Sequence, residues 1–480
     1  MTAAPYPLDL THNRIPDGVH HIHFTAVCGT AMGALACLLK DRGFRITGSD
    51  ANVYPPMSTF LAEKGITVVQ GFRGSNLDPR PDLVVVGNVV SLGNPEVTAM
   101  FDLGLPFVSM PQAVNRFAAE GKQRLVVTGT HGKTTTASLL AWMLQAAGRD
   151  PSFLIGGILK NFNSSYCFGG GDAMVIEGDE YDTAFFDKGP KFLHYPPHAA
   201  ILTSIEFDHA DIFRDLDHVR TAFSDFLRII PPGRLLAVYD ADPNIADLTR
   251  TPTCRLERYG KAADSDWRLG RVAIDPPRTR FEVIRKGRPF GRFETAMTGE
   301  HNLLNALSCI AAAHDLGLSA EAIAEGLSTF KGIKRRQEIR GVRDGITVMD
   351  DFAHHPTAVR ETLRAVRPFY PDGRLVAVFE PRTNSSMRNV FQEAYAGAFD
   401  AADRVLIRVP SAFHKVPEAD RMSVETLVAD LRRRGIDARL YPDTDAILDA
   451  LPPTLRPGDL VLIMSNGGFD NIHERLLRRI

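Results

Sequence analysis

The 480-residue sequence predicts an α/β protein of three successive blocks, in which parallel strands carry helices on their faces. Three observations predict it. The length corresponds to about three domains at roughly 100–200 residues each. Short apolar runs ending in glycine or acidic residues alternate with helical stretches along the whole chain. One of those runs feeds a glycine-rich loop that opens a helix, Gly129-Thr130-His131-Gly132-Lys133-Thr134-Thr135-Thr136.

The first block opens with an expected strand at His23–Val27, a glycine turn and a helix reaching about Arg42. Further strands are expected at Phe44–Thr47, ending at Gly48-Ser49-Asp50, and at Leu83–Val86, ending at Gly87-Asn88. The second block begins near Arg124. Leu125–Thr128 reads as the strand before the Gly129 loop, and a helix follows over Lys133–Ala147. Ala173–Ile176 and Ala199–Leu202 read as strands followed by acidic residues, Arg250–Arg292 as a mixed, antiparallel stretch, and Asn302–Leu316 as a helix. The basic run Phe330–Arg336 reads as a hinge. Beyond it, strands are expected at Thr347–Met349, Leu375–Phe379, Arg404–Ile407 and Leu460–Met464.

Composition narrows the function. Lys plus Arg total 55 and Asp plus Glu 57, so nothing in the balance points to nucleic acid or an anionic membrane. The five cysteines are scattered without a C-x-x-C pair, which predicts neither a disulfide framework nor a zinc knuckle and fits a reducing cytoplasm. Met1–Asn13 has no basic, apolar leader, and no apolar run approaches the roughly 20 residues of a membrane span.

The chemistry is expected at strand ends. A glycine loop before a helix turns backbone N–H groups toward phosphate, and the helix dipole adds to the attraction. Lys133 is placed to reach the outer phosphates and the Thr134 hydroxyl to ligate Mg²⁺. The strict G-x-x-x-x-G-K-[ST] pattern is not met, because its first glycine falls at Val127. Glu177-Gly178-Asp179-Glu180 and Asp208-His209 follow strands, where carboxylates can hold Mg²⁺ and imidazole can complete a site; helix-capping acids would look the same. Asn302 suits either a helix cap or an adenine edge. Asp350-Asp351 with His354-His355 suits phosphate or ribose better than a metal, since adjacent histidines do not point alike. The His20-His21-x-His23 cluster reads as a strand entrance. Cys28-Gly29-Thr30-Ala31-Met32-Gly33, with Asp50 about 20 residues on, resembles a dinucleotide turn.

Taken together, the Gly129–Thr136 loop, Glu177 with Asp179-Glu180, Asp208-His209, His301-Asn302 with Asn305, and Asp350-Asp351 with His354-His355-Pro356 resemble the Mur ligase family of peptidoglycan synthesis. The resemblance implies three domains. These are an N-terminal Rossmann-like domain for a UDP-sugar over 1–118, a central P-loop ATPase domain over 119–333, and a C-terminal Rossmann-like domain over 334–480. It implies an ATP-dependent ligase with Mg²⁺, acting on UDP-N-acetylmuramate and a peptide or amino-acid amine through an acyl phosphate. Lys133, Glu177 and His209 are the implied catalytic residues, and Thr134, Glu177 and His209 the metal ligands. ATP falls to Gly129, Thr130, His131, Gly132, Lys133, Thr134, Thr135, Asn302, Arg336 and Asp351. The UDP-sugar falls to Gly29, Thr30, Ala31, Met32, Gly33, Ser49, Asp50 and Asn88, and the peptide to Arg382, Asn384 and Ser385.

Within the family, some members add L-alanine and others a preformed tripeptide, L-alanyl-γ-D-glutamyl-meso-diaminopimelate, in peptidoglycan recycling. Gly48–Ser58, Gly93-Asn94-Pro95-Glu96, Glu180–Lys188, Asp351–Thr357, Phe379–Asn384 and Met464–Phe469 are similar to the second kind. Phe352-Ala353 stands where the L-alanine-adding members usually carry Tyr-Gly. No lysine lies between Lys191 and Lys261, unlike members that use a carbamylated lysine there. A non-ligating, nucleotide-dependent muropeptide regulator is the reading from a different class, and the intact Lys133, Glu177 and His209 argue against it.

Overall fold

In the computed structural model, residues 8–53, 57–210 and 212–480 are described. Tyr54, Pro55 and Pro56, which belong to the Gly48–Ser58 stretch singled out above, lie outside the described residues, as do Asp211 and residues 1–7.

The first sheet comprises β1 (His21–Thr25), β2 (Arg45–Asp50), β3 (Thr67–Gln70), β4 (Leu83–Val86) and β5 (Phe107–Ser109). Their order is β3-β2-β1-β4-β5, all parallel. Both faces are covered, so β1 and β4 are buried along their whole length, and β4 reads as a continuous apolar run. The order reverses between β1 and β4, where open α/β sheets leave a crevice at their carboxyl ends. The Gly29–Gly33 turn, Ser49-Asp50 and Asn88 all lie at that edge. β1 starts two residues earlier than expected, and β2 runs on through Gly48, Ser49 and Asp50.

The central domain contributes β6 (Gln123–Thr128), β7 (Ser152–Leu159), β8 (Ser164–Cys167), β9 (Ala173–Gly178), β10 (Asp182–Ala184), β11 (Asp187–Pro190), β12 (Ala199–Leu202), β13 (Leu235–Tyr239), β14 (Arg255–Gly260), β15 (Trp267–Asp275), β16 (Arg278–Arg285) and β17 (Arg288–Thr295). Ten of them form one sheet, β17-β16-β15-β14-β13-β12-β6-β9-β7-β8. β6 lies inside it, between β12 and β9, and its end is the Gly129 loop. Glu177 belongs to β9 itself rather than to the turn after it. The expected antiparallel stretch is β15–β17, while β14 pairs parallel to β13.

β10 and β11 form a separate hairpin. It carries Phe185 and Phe186 onto the first domain: Phe186 packs 5.0 Å from Phe107 and Phe185 6.4 Å from Phe101, ring centre to ring centre.

The third domain holds β18 (Glu338–Arg343), β19 (Ile346–Asp351), β20 (Leu375–Phe379), β21 (Arg404–Arg408), β22 (Asp437–Tyr441) and β23 (Leu460–Met464), ordered β18-β19-β23-β20-β21-β22. Only β18 is antiparallel to its neighbour. Asp350 and Asp351 end β19 rather than following it.

Candidate active site

The phosphate loop is fixed from below by a second loop. Thr130 N–H donates to Ser204 O (2.9 Å), His131 N–H to Ser204 Oγ (2.9 Å) and Glu206 N–H to Thr130 Oγ1 (2.9 Å). The approach demands glycine: a Cβ on Gly129, at φ +129°, would lie 2.2 Å from Thr203 Oγ1, and one on Gly132 would lie 2.9 Å from Asn305 Oδ1. Helix Lys133–Ala146 starts at once, with no side-chain cap, so its first N–H groups face the loop.

Lys133 Nζ donates to Gly129 O (2.6 Å) and to Glu180 Oε2 (2.8 Å). Burial opposes its charge, but Glu180, Asp179 and Glu177 more than offset that and hold the amine above the ordinary lysine value. Thr134 Oγ1 donates to Glu177 Oε2 (3.2 Å), and Gly156 N–H to Glu177 Oε1 (2.8 Å). Burial, with Asp179 nearby, pushes the Glu177 carboxyl up to about 7. A half-buried carboxylate of this kind, beside a hydroxyl and with no cation bonded to it among the described residues, fits a hard divalent ion such as Mg²⁺.

His209 has a neighbour that the sequence reading did not name. Its Nε2 stands 3.8 Å from Glu180 Oε1, its ring leans on Tyr181 at 4.9 Å, and it has no ion-pair contact with Glu177. Glu180, with a side chain only 2% exposed, therefore bridges Lys133 and His209. The bridge follows from the fold: β9 and the loop after β12 end on either side of β6.

Thr130–Thr135, Asp208, His209, Asn302, Asn305, Arg336, Asp351 and the His354-His355 pair border one cavity of about 960 Å³ between the central and third domains. Glu177 lies behind Thr134 and does not line it. Asn302 does not cap its helix, whose N-cap is Gly299; its amide donates to Thr298 O (2.8 Å). Arg336 packs its guanidinium over Phe352 at 4.7 Å and forms no ion pair within 4.0 Å among the described residues. Asp351 accepts from Gln337 N–H and Ala353 N–H, both at 2.8 Å, which fixes the hinge end; burial raises its carboxyl above the usual range despite Arg336.

A contact from the third domain closes on the loops. Thr357 Oγ1 donates to Glu206 Oε2 (2.8 Å), and His355 caps helix Pro356–Val366 by accepting from Thr357 N–H (3.2 Å). Burial opposes ionisation of Glu206, yet His131, Thr357 and His355 hold its carboxyl down at about 2. Burial, and then His131, pushes His355 down to about 4.

Three Mur ligase models match the chain: the family's catalytic domain over residues 21–122, its middle domain over 127–313 and its glutamate ligase domain over 335–467. A ligase from Escherichia coli K12, the UDP-N-acetylmuramate–L-alanyl-γ-D-glutamyl-meso-2,6-diaminoheptandioate ligase, is 40% identical over 95% of this chain and 97% of its own length. The chain belongs to the Mur ligase family.

As a Mur ligase it is an ATP-dependent, amide-bond-forming enzyme. The Haemophilus influenzae ligase of the same name is 39% identical over 96% of this chain and 99% of its own. A UDP-N-acetylmuramate–L-alanine ligase from Desulfitobacterium hafniense is 33% identical over 95% and 99%. Among solved structures, a murein peptide ligase from Psychrobacter arcticus matches with TM-score 0.72 and 36% identity, covering 96% of this chain and 98% of that one.

In this Mur ligase the Gly29–Gly33 turn begins helix Thr30–Asp41, and Asp50 Oδ2 fixes it by accepting from Cys28 N–H (2.8 Å). Ser49 Oγ donates to the buried Glu96 (2.7 Å), as do Thr25 Oγ1 (2.7 Å) and, through its ring, His23 (3.0 Å). His23 is thus more than a strand entrance. Asn88 is exposed just past β4.

The peptide group is less unified than expected. Arg382 is 43% exposed, stands 4.0 Å from the buried Glu380 Oε2 and lies against Gly467, where a Cβ would lie 2.2 Å from its guanidinium. Ser385 Oγ instead accepts from Ala210 N–H (3.2 Å), and Ser386 Oγ accepts from Arg382 N–H (2.9 Å). Those hydroxyls are engaged, and neither Arg382, Asn384 nor Ser385 lines the cavity; Thr383 and Asn466 do. Sequence reasoning missed Glu180 as a bridge and Glu206 as an interdomain acceptor. Their acidic motifs were visible, but not their partners.

Proposed function

We propose that this Mur ligase joins UDP-N-acetylmuramate to the preformed tripeptide L-alanyl-γ-D-glutamyl-meso-diaminopimelate, with ATP cleaved to ADP and phosphate, in peptidoglycan recycling. The observation that carries the reading is the 40% and 39% identity, over nearly whole chains, to two ligases that bear that tripeptide in their names, against 33% to an L-alanine ligase.

The local chemistry supports it. Phosphoryl transfer needs charge neutralisation and in-line placement more than a protein nucleophile. Lys133 is held at the mouth of the loop by Gly129 O and Glu180, and exchanges those acceptors for phosphate oxygens. Thr134 and Glu177 would hold one Mg²⁺, and His209, which stands beside Glu180, would supply an imidazole to a second that shares Glu177. The ions supply Lewis-acid stabilisation of the phosphates. Arg336 enters from the hinge, and Asn302 faces the adenine. The muramoyl carboxylate takes the γ-phosphoryl group, and the tripeptide amine then displaces phosphate from the acyl carbon. The contact of Thr357 with Glu206 keeps the third domain over the cavity and limits water. The UDP part lies on the Gly29–Gly33 turn, Ser49, Asp50 and Asn88. Arg382, with Asn384, is the cationic partner for a tripeptide carboxylate.

The test is competition. The protein is given ATP, Mg²⁺, UDP-N-acetylmuramate and equal concentrations of tripeptide and L-alanine, and products are weighed by mass spectrometry. Predominant tripeptide adduct is expected; predominant L-alanine adduct overturns the substrate assignment and leaves the family untouched.

A further inference from the structure

Three loops converge on a second set of metal-ligand atoms, distinct from the Thr134–Glu177 pair. His131 of the phosphate loop, Glu206 of the loop beneath it and His355 of the third domain each offer one such atom, and all three lie within 4.8 Å of one another. His131 Nε2 is 3.4 Å and His355 Nδ1 3.8 Å from Glu206 Oε2. Ligands at about 2.0–2.2 Å from a tetrahedral ion stand about 3.3 Å apart, so the two measured edges need only small closures. The third partner of Glu206 Oε2, the Thr357 hydroxyl, orients the carboxylate in the way outer-shell donors orient metal ligands.

The donor set chooses the ion. Two imidazoles and one carboxylate suit borderline first-row transition metals, whereas Mg²⁺ prefers oxygen alone. All three residues border the cavity, so a fourth position stays open to it. His355 is otherwise buried, and its Nε2 has no hydrogen-bond partner. Ligation takes the Nδ1 lone pair that now accepts the Thr357 N–H, so an ion displaces that helix cap.

We propose that His131, Glu206 and His355 form a binding site for a transition-metal ion, Zn²⁺ above all, that joins the third domain to the phosphate loop.

Co²⁺ reports the site directly, because a four-coordinate nitrogen–oxygen set gives it a distinctive visible absorption. It is titrated into the intact protein under excess Mg²⁺, which fills the oxygen sites. One equivalent is expected to bind and to be displaced by Zn²⁺. Affinity should fall at least about tenfold in His355→Ala and in Glu206→Gln, and stay unchanged in Glu177→Gln. His131→Asn, which keeps a polar loop side chain, replaces His355→Ala if circular dichroism shows the latter unfolded, with the same fall expected. Absence of stoichiometric binding, binding indifferent to these substitutions, or loss of the signal in Glu177→Gln each overturns the proposal.

Discussion

The Gly29–Gly33 turn and the Gly129–Lys133 loop use the same backbone device, a buried strand running into glycines and then a helix N-terminus. They differ in charge. The first helix opens with Thr30, Ala31, Met32 and Gly33, and the nearby Asp50 carboxylate is committed to Cys28 N–H and Asn52 N–H. The second opens with Lys133, faced by Glu180 and backed by Glu177. Backbone N–H groups alone can hold a phosphate. Changing its bonding calls for a cation on the loop itself, held in place by carboxylates, and of the two it is the second that opens on a lysine.

The sharpest way to break this contrast is Lys133→Ala. Loss of one stabilising charge should lower amide formation by about 10²–10³, roughly 3–4 kcal/mol of barrier. UDP-sugar affinity, measured calorimetrically, should stay within about twofold. A parallel loss in both would mean the two loops are not separate devices.

Next is crowding. Gly129→Ala forces a Cβ onto Thr203 Oγ1 and the Ser204 backbone, and should destabilise by about 1–3 kcal/mol. Thermal unfolding followed by calorimetry reads it.

Protons give a smaller effect. The Glu177 carboxyl is raised to about 7, so it keeps its proton below that pH and Mg²⁺ must displace it. The Mg²⁺ concentration for half-maximal rate should therefore rise as pH falls below about 7, approaching tenfold per unit, or about 1.4 kcal/mol. Above it the requirement should level off. UDP-sugar binding over the same range should not follow this profile.

The smallest effect is expected at Gly29. A Cβ there meets nothing within 4 Å among the described residues, so Gly29→Ala should change stability by no more than about 0.5 kcal/mol. A weaker UDP-sugar affinity in that stable variant would mark the close approach of a ligand to the turn.

Legibility in the sequence followed distance along the chain. The phosphate loop is contiguous, and its strand, glycines, lysine and helix were all readable; the helix ends within one residue of expectation. The β4, β12, β20 and β23 strands were readable for the same reason, being apolar runs buried on both faces. The β10–β11 hairpin was not, because Asp182–Ala184 and Asp187–Pro190 are short and mostly polar. Nor was the partner of His209. The resemblance joined it to Glu177 through a metal ion, and only the pairing of β6 with both β9 and β12 brings Glu180 beside it. The contact of Thr357 with Glu206 spans 151 positions and leaves no local pattern. The run after β20 looked like a set of free hydroxyls, because the Ala210 N–H that engages Ser385 comes from another domain.

The aromatic hairpin has a mechanical meaning. Phe185 packs on Phe101 and Phe186 on Phe107 of the first domain, and β10 starts two residues after Glu180. So short a tether has little slack, at about 3.3–3.6 Å of reach per residue. The same short segment thus carries the contact with the first domain at one end and the carboxylate bonded to Lys133 at the other. On the substrate assignment proposed above, the seat of one substrate and the grip on the other's phosphates would be two ends of a single lever.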